Sequence, residues 1–180
     1  MSLQEPENPL SNWQKKEKSN LPVPYNYSWE GNKYIFKTEQ GFTYSVYFFT
    51  EIQSLYEEYP WSKNVYEMSF DCEGWSPDNS IPDNRVSSTI MEILDKFFLN
   101  TEFILTYSCE TLDSLENLRY RLFNQWFYKS HKNLYFDKVN FTTPYYERTL
   151  YVSMLFSKYH SYAAELGEAF YKVCQEVYSL

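Results

Sequence analysis

The chain has 180 residues, 43% of them apolar and 22% charged, enough for one hydrophobic core and too few for two. Aromatic residues make up 21%, so a mean hydropathy of −0.59 does not signal disorder, because tyrosines depress that index while their rings still pack. No stretch nears the ~20 apolar residues of a membrane helix and no apolar leader opens the chain. Three dispersed cysteines without a CxxC pair fit reduced thiols, so a cytoplasmic protein off the membrane is expected.

Residues 1–30 carry Pro6, Pro9, Pro22 and Pro24 among polar residues, which predicts an extended or partly disordered arm before a single domain over 31–180. From Lys33 the apolar period becomes two: KYIFKT, a turn at Glu39-Gln40-Gly41 and FTYSVYFFT form a hairpin in which Gly41 can take positive φ. EIQSLYEEY is a short helical connection closed by Pro60, and NVYEMSFD alternates Tyr66, Met68 and Phe70 as a third strand. Asp83 caps a helix whose apolar stripe is Val86, Ile90, Ile93, Leu94, Phe97 and Phe98, with Asn100 as its stop.

EFILTYSC is apolar on both faces, as a central strand is. Asp113 with Glu116 three residues on is like a capping box, opening a helix with Leu115, Leu118, Leu122, Phe123, Trp126 and Phe127 inward. LYFDKVNFT and RTLYVSMLF are strands around Pro144, and Ser161 opens a last helix with Ala163, Leu166, Phe170, Val173, Cys174 and Val177 inward. The order βββαβαββα gives an α+β fold, an antiparallel or mixed sheet with helices packed on it.

Charge is unevenly placed. Residues 39–83 hold one base, Lys63, against nine acids: Glu39, Glu51, Glu57, Glu58, Glu67, Asp71, Glu73, Asp78 and Asp83. A field of one sign attracts a basic partner and repels nucleic acid, so a basic protein is the expected partner, met by Glu67, Asp71, Glu73, Trp75 and Asp78. A solubility face is the plainer meaning of the same acids. Trp75 is either packed on the core or an exposed anchor. Asp113, Arg119 and Arg121 are candidates for an ion pair or a phosphate contact, Arg119 bordering the buried stripe and able to pair with Asp113.

No residue is assigned a catalytic role, and no metal or cofactor is expected. Cys109 precedes a helix start, where a thiol pKa can fall, but neither His131 nor His160 is placed beside it in sequence. The alternative is a metal-dependent enzyme acting on phosphodiesters, with Asp71, Glu73, Asp78 or Asp83 on the metal and Arg119 or Arg121 on phosphate. It requires those carboxylates to converge, and their spacing fits no EF-hand loop. Nucleic-acid binding through 119–132 requires a local basic stripe there. Oligomeric state is left open.

From Tyr34 to about Trp126, the YIF…GFTYSVYF hairpin, STIMEILDKFF and YSCETLDSLENLRYRLFNQWF resemble a family of uncharacterised small proteins from Bacteroidetes, a domain of unknown function. The resemblance implies a bacterial cytosolic domain and no particular activity.

Overall fold

The computed structural model describes residues 22–74, 82–109, 111 and 113–178. Its strands are β1 (Tyr27–Glu30), β2 (Lys33–Lys37), β3 (Thr43–Phe49), β4 (Val65–Glu73), β5 (Ile104–Cys109), β6 (Phe136–Tyr145) and β7 (Arg148–Ser157). The helices are α1 (Asn84–Phe97), α2 (Glu116–Lys129) and α3 (Ala163–Tyr178), with a 3-10 turn at Glu51–Tyr56. One seven-stranded sheet runs β1-β2-β3-β4-β5-β7-β6, so the α+β class and the mixed sheet are as expected. Every pairing is antiparallel except β4 with β5, which α1 connects.

Helices cover both faces. Alternate residues of each strand, among them Phe36, Val46, Met68, Leu105 and Leu155, meet Ile90, Leu94 and Phe98 of α1 and Phe123 and Phe127 of α2. The opposite parity, Val65, Ile104, Val152, Met154 and Phe156, meets Leu166, Phe170 and Val173 of α3, with Tyr56 and Trp61 closing that core. The stripe expected for α1 is its packed face, and the Asp83 carboxylate accepts from the Arg85 amide at 2.9 Å as its cap. Gly41 sits at φ +89 in the β2–β3 turn, where the Thr38 amide donates to the Phe42 carbonyl.

Several expectations are corrected. Tyr27–Glu30, placed in the N-terminal arm, form an edge strand, with Tyr27 opposite Phe36 and Trp29 opposite Tyr34. The segment just before it is fastened to α1: the Tyr25 amide donates to Thr89 Oγ1, and the Arg85 guanidinium stacks over the Tyr25 ring at 3.9 Å. Pro144 lies inside β6, tolerated because β6 is the other edge and needs no donor on its outer side. Val177, expected inward on α3, is 41% exposed.

The second helix differs most. Leu115, not Asp113, is the N-cap and makes no side-chain cap bond, while Asp113 accepts from the Leu115 amide within the preceding turn. Leu118 and Leu122 are exposed, and only Phe123 and Phe127 of the expected stripe are fully buried. The inward side is polar as well as aromatic, with Glu116 facing Arg148 and Asn124 accepting from Lys138. Those contacts turn the helix away from its leucines.

No described helix is long and apolar enough to cross a membrane.

Candidate functional site

β4 lies in the middle of the sheet, and its period of two sends Glu67, Ser69, Asp71 and Glu73 to the face opposite α1. On that face α3 covers the β5-β7-β6 half, and no described element covers the end carrying Asp71 and Glu73. The rows across the open part are Lys37–Thr43–Glu73, Ile35–Ser45–Asp71 and Lys33–Tyr47–Ser69. Tyr47 and Phe49 stack at 5.6 Å between the lysines of β2 and the acids of β4. Two strand spacings, about 10 Å, separate the two charge lines, roughly one screening length at physiological salt. The acids therefore keep most of their own field.

Glu51, Glu67, Asp71 and Glu73 form no ion pair among the described residues. The other described acids of the segment differ. Glu39 pairs with Arg85 at 2.5 Å, Glu58 with Lys172 at 2.7 Å, and Asp83 holds both the α1 cap and the Tyr25 hydroxyl at 2.7 Å. Only Glu57, exposed just past the 3-10 turn, lies apart with no pair.

Glu67 is the least exposed of the four, in a cleft of about 20 Å³ with Ile52, Thr106, Ser108 and Tyr178, room for about one water. Burial, and then the neighbouring charge of Glu51, hold its carboxyl above the usual glutamate value. The folded state thus keeps the Glu67 proton more tightly than the unfolded chain does. Stability present below the ordinary value of 4.5 is lost as pH rises through the raised one. Glu67→Gln is expected to be more stable than wild type at pH 7 by on the order of 0.5 kcal/mol, the difference closing near pH 4 in parallel thermal melts. Equal melting at both pH values would contradict an ionised, half-buried Glu67.

The remaining candidates are dispersed. Asp83 stands by α1, on the other side of the sheet from Asp71 and Glu73, and Asp78 and Trp75 lie outside the described residues. Among the described residues no three His, Cys, Asp or Glu side chains gather as a metal site. Arg119 donates to Asp113 Oδ1 at 2.7 Å and pairs with its second oxygen as well, which holds the Asp113 carboxyl below its usual range. Arg121 is exposed on another side of α2 and joins neither. In the 119–132 stretch, Lys132 is 4% exposed and paired with Asp95, so the basic stripe is reduced to Arg121, Lys129 and His131.

Cys109 is 1% exposed, and burial pushes its thiol up to about 11, so it is protonated at neutral pH. The charged groups that act on it are Arg119, Lys138 and Glu116, with no histidine among them. His160 is buried at the start of α3, its Nδ1 accepting from the Tyr162 amide and its Nε2 meeting the Glu102 carbonyl at 3.1 Å. It serves the turn.

One group escaped the sequence reading. Lys138 on β6 points under α2, bonded to Asn124 and Asn140, and burial lowers its amine to about 8. The signal was available in parity, since Phe136, Lys138 and Asn140 share one face of the strand and Phe136 is buried.

A family model described as a family of unknown function (DUF6169) matches residues 82–172. That span runs from the α1 cap into α3. It includes STIMEILDKFF and the β5–α2 segment but not the YIF…GFTYSVYF hairpin, and it continues well past Trp126. No curated protein and no solved structure matches.

Proposed function

The chain belongs to this family of unknown function, and we propose that it is a non-catalytic binding module whose acidic sheet face docks a basic protein. The observation that carries the reading is the set Glu51, Glu67, Asp71 and Glu73, gathered around the open half of one sheet face with no cation paired to them among the described residues. The raised carboxyl of Glu67 supports it, because an acid kept where ionisation works against folding is the pattern of a group held for function. Asp71 and Glu73 stand two residues apart, about 7 Å, a spacing that alternate lysines or arginines of an extended segment match. The flanking Tyr47 and Phe49 rings offer apolar and cation–π contact to the same side chains. The module is cytoplasmic in this reading, in keeping with free Cys72, Cys109 and Cys174.

Carbodiimide coupling tests the reading, since it joins a carboxylate to an amine only at ion-pair distance. In extract of the source cells at low salt, coupling is expected to link Asp71 and Glu73 to lysines of one basic protein. In ~0.5 M salt, where screening reaches only a few ångströms, those links should vanish. With the purified pair, Asp71→Lys with Glu73→Lys is expected to weaken binding by roughly a hundredfold, about 3 kcal/mol, mostly through attraction turned to repulsion. Links spread evenly over Glu30, Glu57 and Glu165, or affinity unchanged in the double variant, would remove the acidic face from the function.

A further inference from the structure

α3 is fastened at its entry by two titratable side chains. The Glu102 carboxylate, in the turn before β5, accepts from the Ser161 amide at 3.1 Å and from the Ser161 hydroxyl at 3.0 Å. The His160 ring accepts at Nδ1 from the Tyr162 amide at 2.9 Å. A neutral ring bonded in this way carries its one proton on Nε2, which stands 3.1 Å from the Glu102 carbonyl. The His160 carbonyl takes the Ala163 amide at 3.0 Å. Both ring nitrogens are thus used, one for the start of the helix and one for the lead-in of β5. The His160 side chain is wholly enclosed, and Leu166, in the first turn of α3, is buried in the core that holds Ile104 and Met154.

A second proton on the ring has only Nδ1 to go to. There it meets the Tyr162 N–H, so two donors face each other and the bond is lost. The imidazolium also draws on Glu102 Oε2, 3.9 Å from Nε2, a carboxylate already engaged with Ser161. We propose that His160 is an acid-operated latch: neutral, it holds the entry of α3 against the lead-in of β5, and protonated, it lets the first turn of α3 come away. The part uncovered is Leu166 and the apolar side of the sheet that it packs on.

The surroundings set the direction of the switch. Burial pushes the ring below the usual histidine value, and the Glu102 carboxylate and carbonyl oppose that shift without cancelling it. The titratable groups facing the ring are Glu102, from the turn before β5, and Tyr162, on the helix side with its ring 6.1 Å away. The unfolded chain therefore takes up the proton more readily than the folded one does. The latch contributes fully above the ordinary value of 6.5, and its contribution is lost as pH falls from there through the lowered value.

The test follows amide exchange of the full wild-type chain by NMR at pH 7 and pH 5, expressed as protection relative to the unstructured rate at each pH. In going to pH 5, the Tyr162, Ala163 and Leu166 amides are expected to lose roughly tenfold in protection, about the worth of one hydrogen bond. Ile93 and Leu94 in α1 should keep theirs. The same samples give the titration of His160, with exposed His131 as the other imidazole signal, and the loss should follow a His160 midpoint below 6.5. His160→Asn keeps an acceptor for the amide two residues on and takes up no proton in this range, so its protection should be the same at both pH values. Equal protection of the α3 entry at pH 7 and pH 5 in the wild type, a His160 midpoint at or above 6.5, or a loss that persists in folded His160→Asn would overturn the proposal. The first two need no variant to fold.

Discussion

Replacing Lys132 with methionine is expected to destabilise the protein by about 3 kcal/mol, a fall of roughly 6–12 °C in Tm for a domain of this size. Lys132 follows α2 and its side chain is 5% exposed, while Asp95 near the end of α1 is 19% exposed. The pair ties the two helices together over the core they share with the sheet. Methionine fills much of the lysine volume, so the loss measures a carboxylate left in a poorly solvated place without its cation, not a cavity. The double change Lys132→Met with Asp95→Leu removes both charges and should recover most of the stability. Thermal and denaturant unfolding of the three proteins decide it. A single variant within 1 kcal/mol of wild type, or a double variant no better than the single, would show that the pair is solvated in solution.

Phe170→Ala is expected to cost about 4 kcal/mol, the largest single effect on the opposite face. Phe170 is fully buried on α3 against the side of the sheet that carries Met154 and Ile104. Its removal forfeits transfer free energy and leaves a void the strands cannot close. The control is Leu118→Ala on α2. Leu118 belongs to the apolar stripe by periodicity yet is 57% exposed, so its truncation should change stability by less than about 0.5 kcal/mol. Comparable losses at the two positions would mean that α2 is rotated from the orientation described here.

That contrast shows where periodicity carries and where it stops. The β2–β3 hairpin, α1 and α3 each have one apolar face and one more polar face, and packing follows that division, while β5, apolar on both faces, is buried on both. In α2 the apolar stripe competes with Glu116, Arg119 and Asn124, whose partners Arg148, Asp113 and Lys138 come from outside the helix. Of these partners Asp113 is near enough in sequence to be anticipated, whereas Arg148 and Lys138 leave no trace in a 3.6-residue period. β1 was hidden for another reason. Tyr27 and Trp29 do alternate, but four residues behind two prolines are too short a run to stand out from an arm.

Of the candidate site, clustering in sequence foretold clustering in space along β4, where Glu67, Asp71 and Glu73 share parity, and in the pair of Asp113 with Arg119, which Arg121 does not join. Asp83 left the group because it caps α1, and Glu39 and Glu58 because each faces a base from another element. The inward position of Lys138 is legible from the parity it shares with Phe136, but nothing local marks a lysine as lacking a carboxylate.

The one parallel junction in the sheet is short: Val65 with Ile104, Tyr66 with Leu105 and Glu67 with Thr106. Past it, β4 runs on to Glu73 and β5 to Cys109 without pairing to each other. The molecule is therefore a four-stranded meander and a three-stranded unit joined by a brief seam, with α1 as the strap across it. The acidic face belongs to the meander and Lys138 to the other unit. Among the described residues their backbones pair at three positions alone, so the two units are held together by side-chain packing: α1 and Phe123 of α2 on one face, and Tyr56, Trp61 and the Glu58–Lys172 pair against α3 on the other.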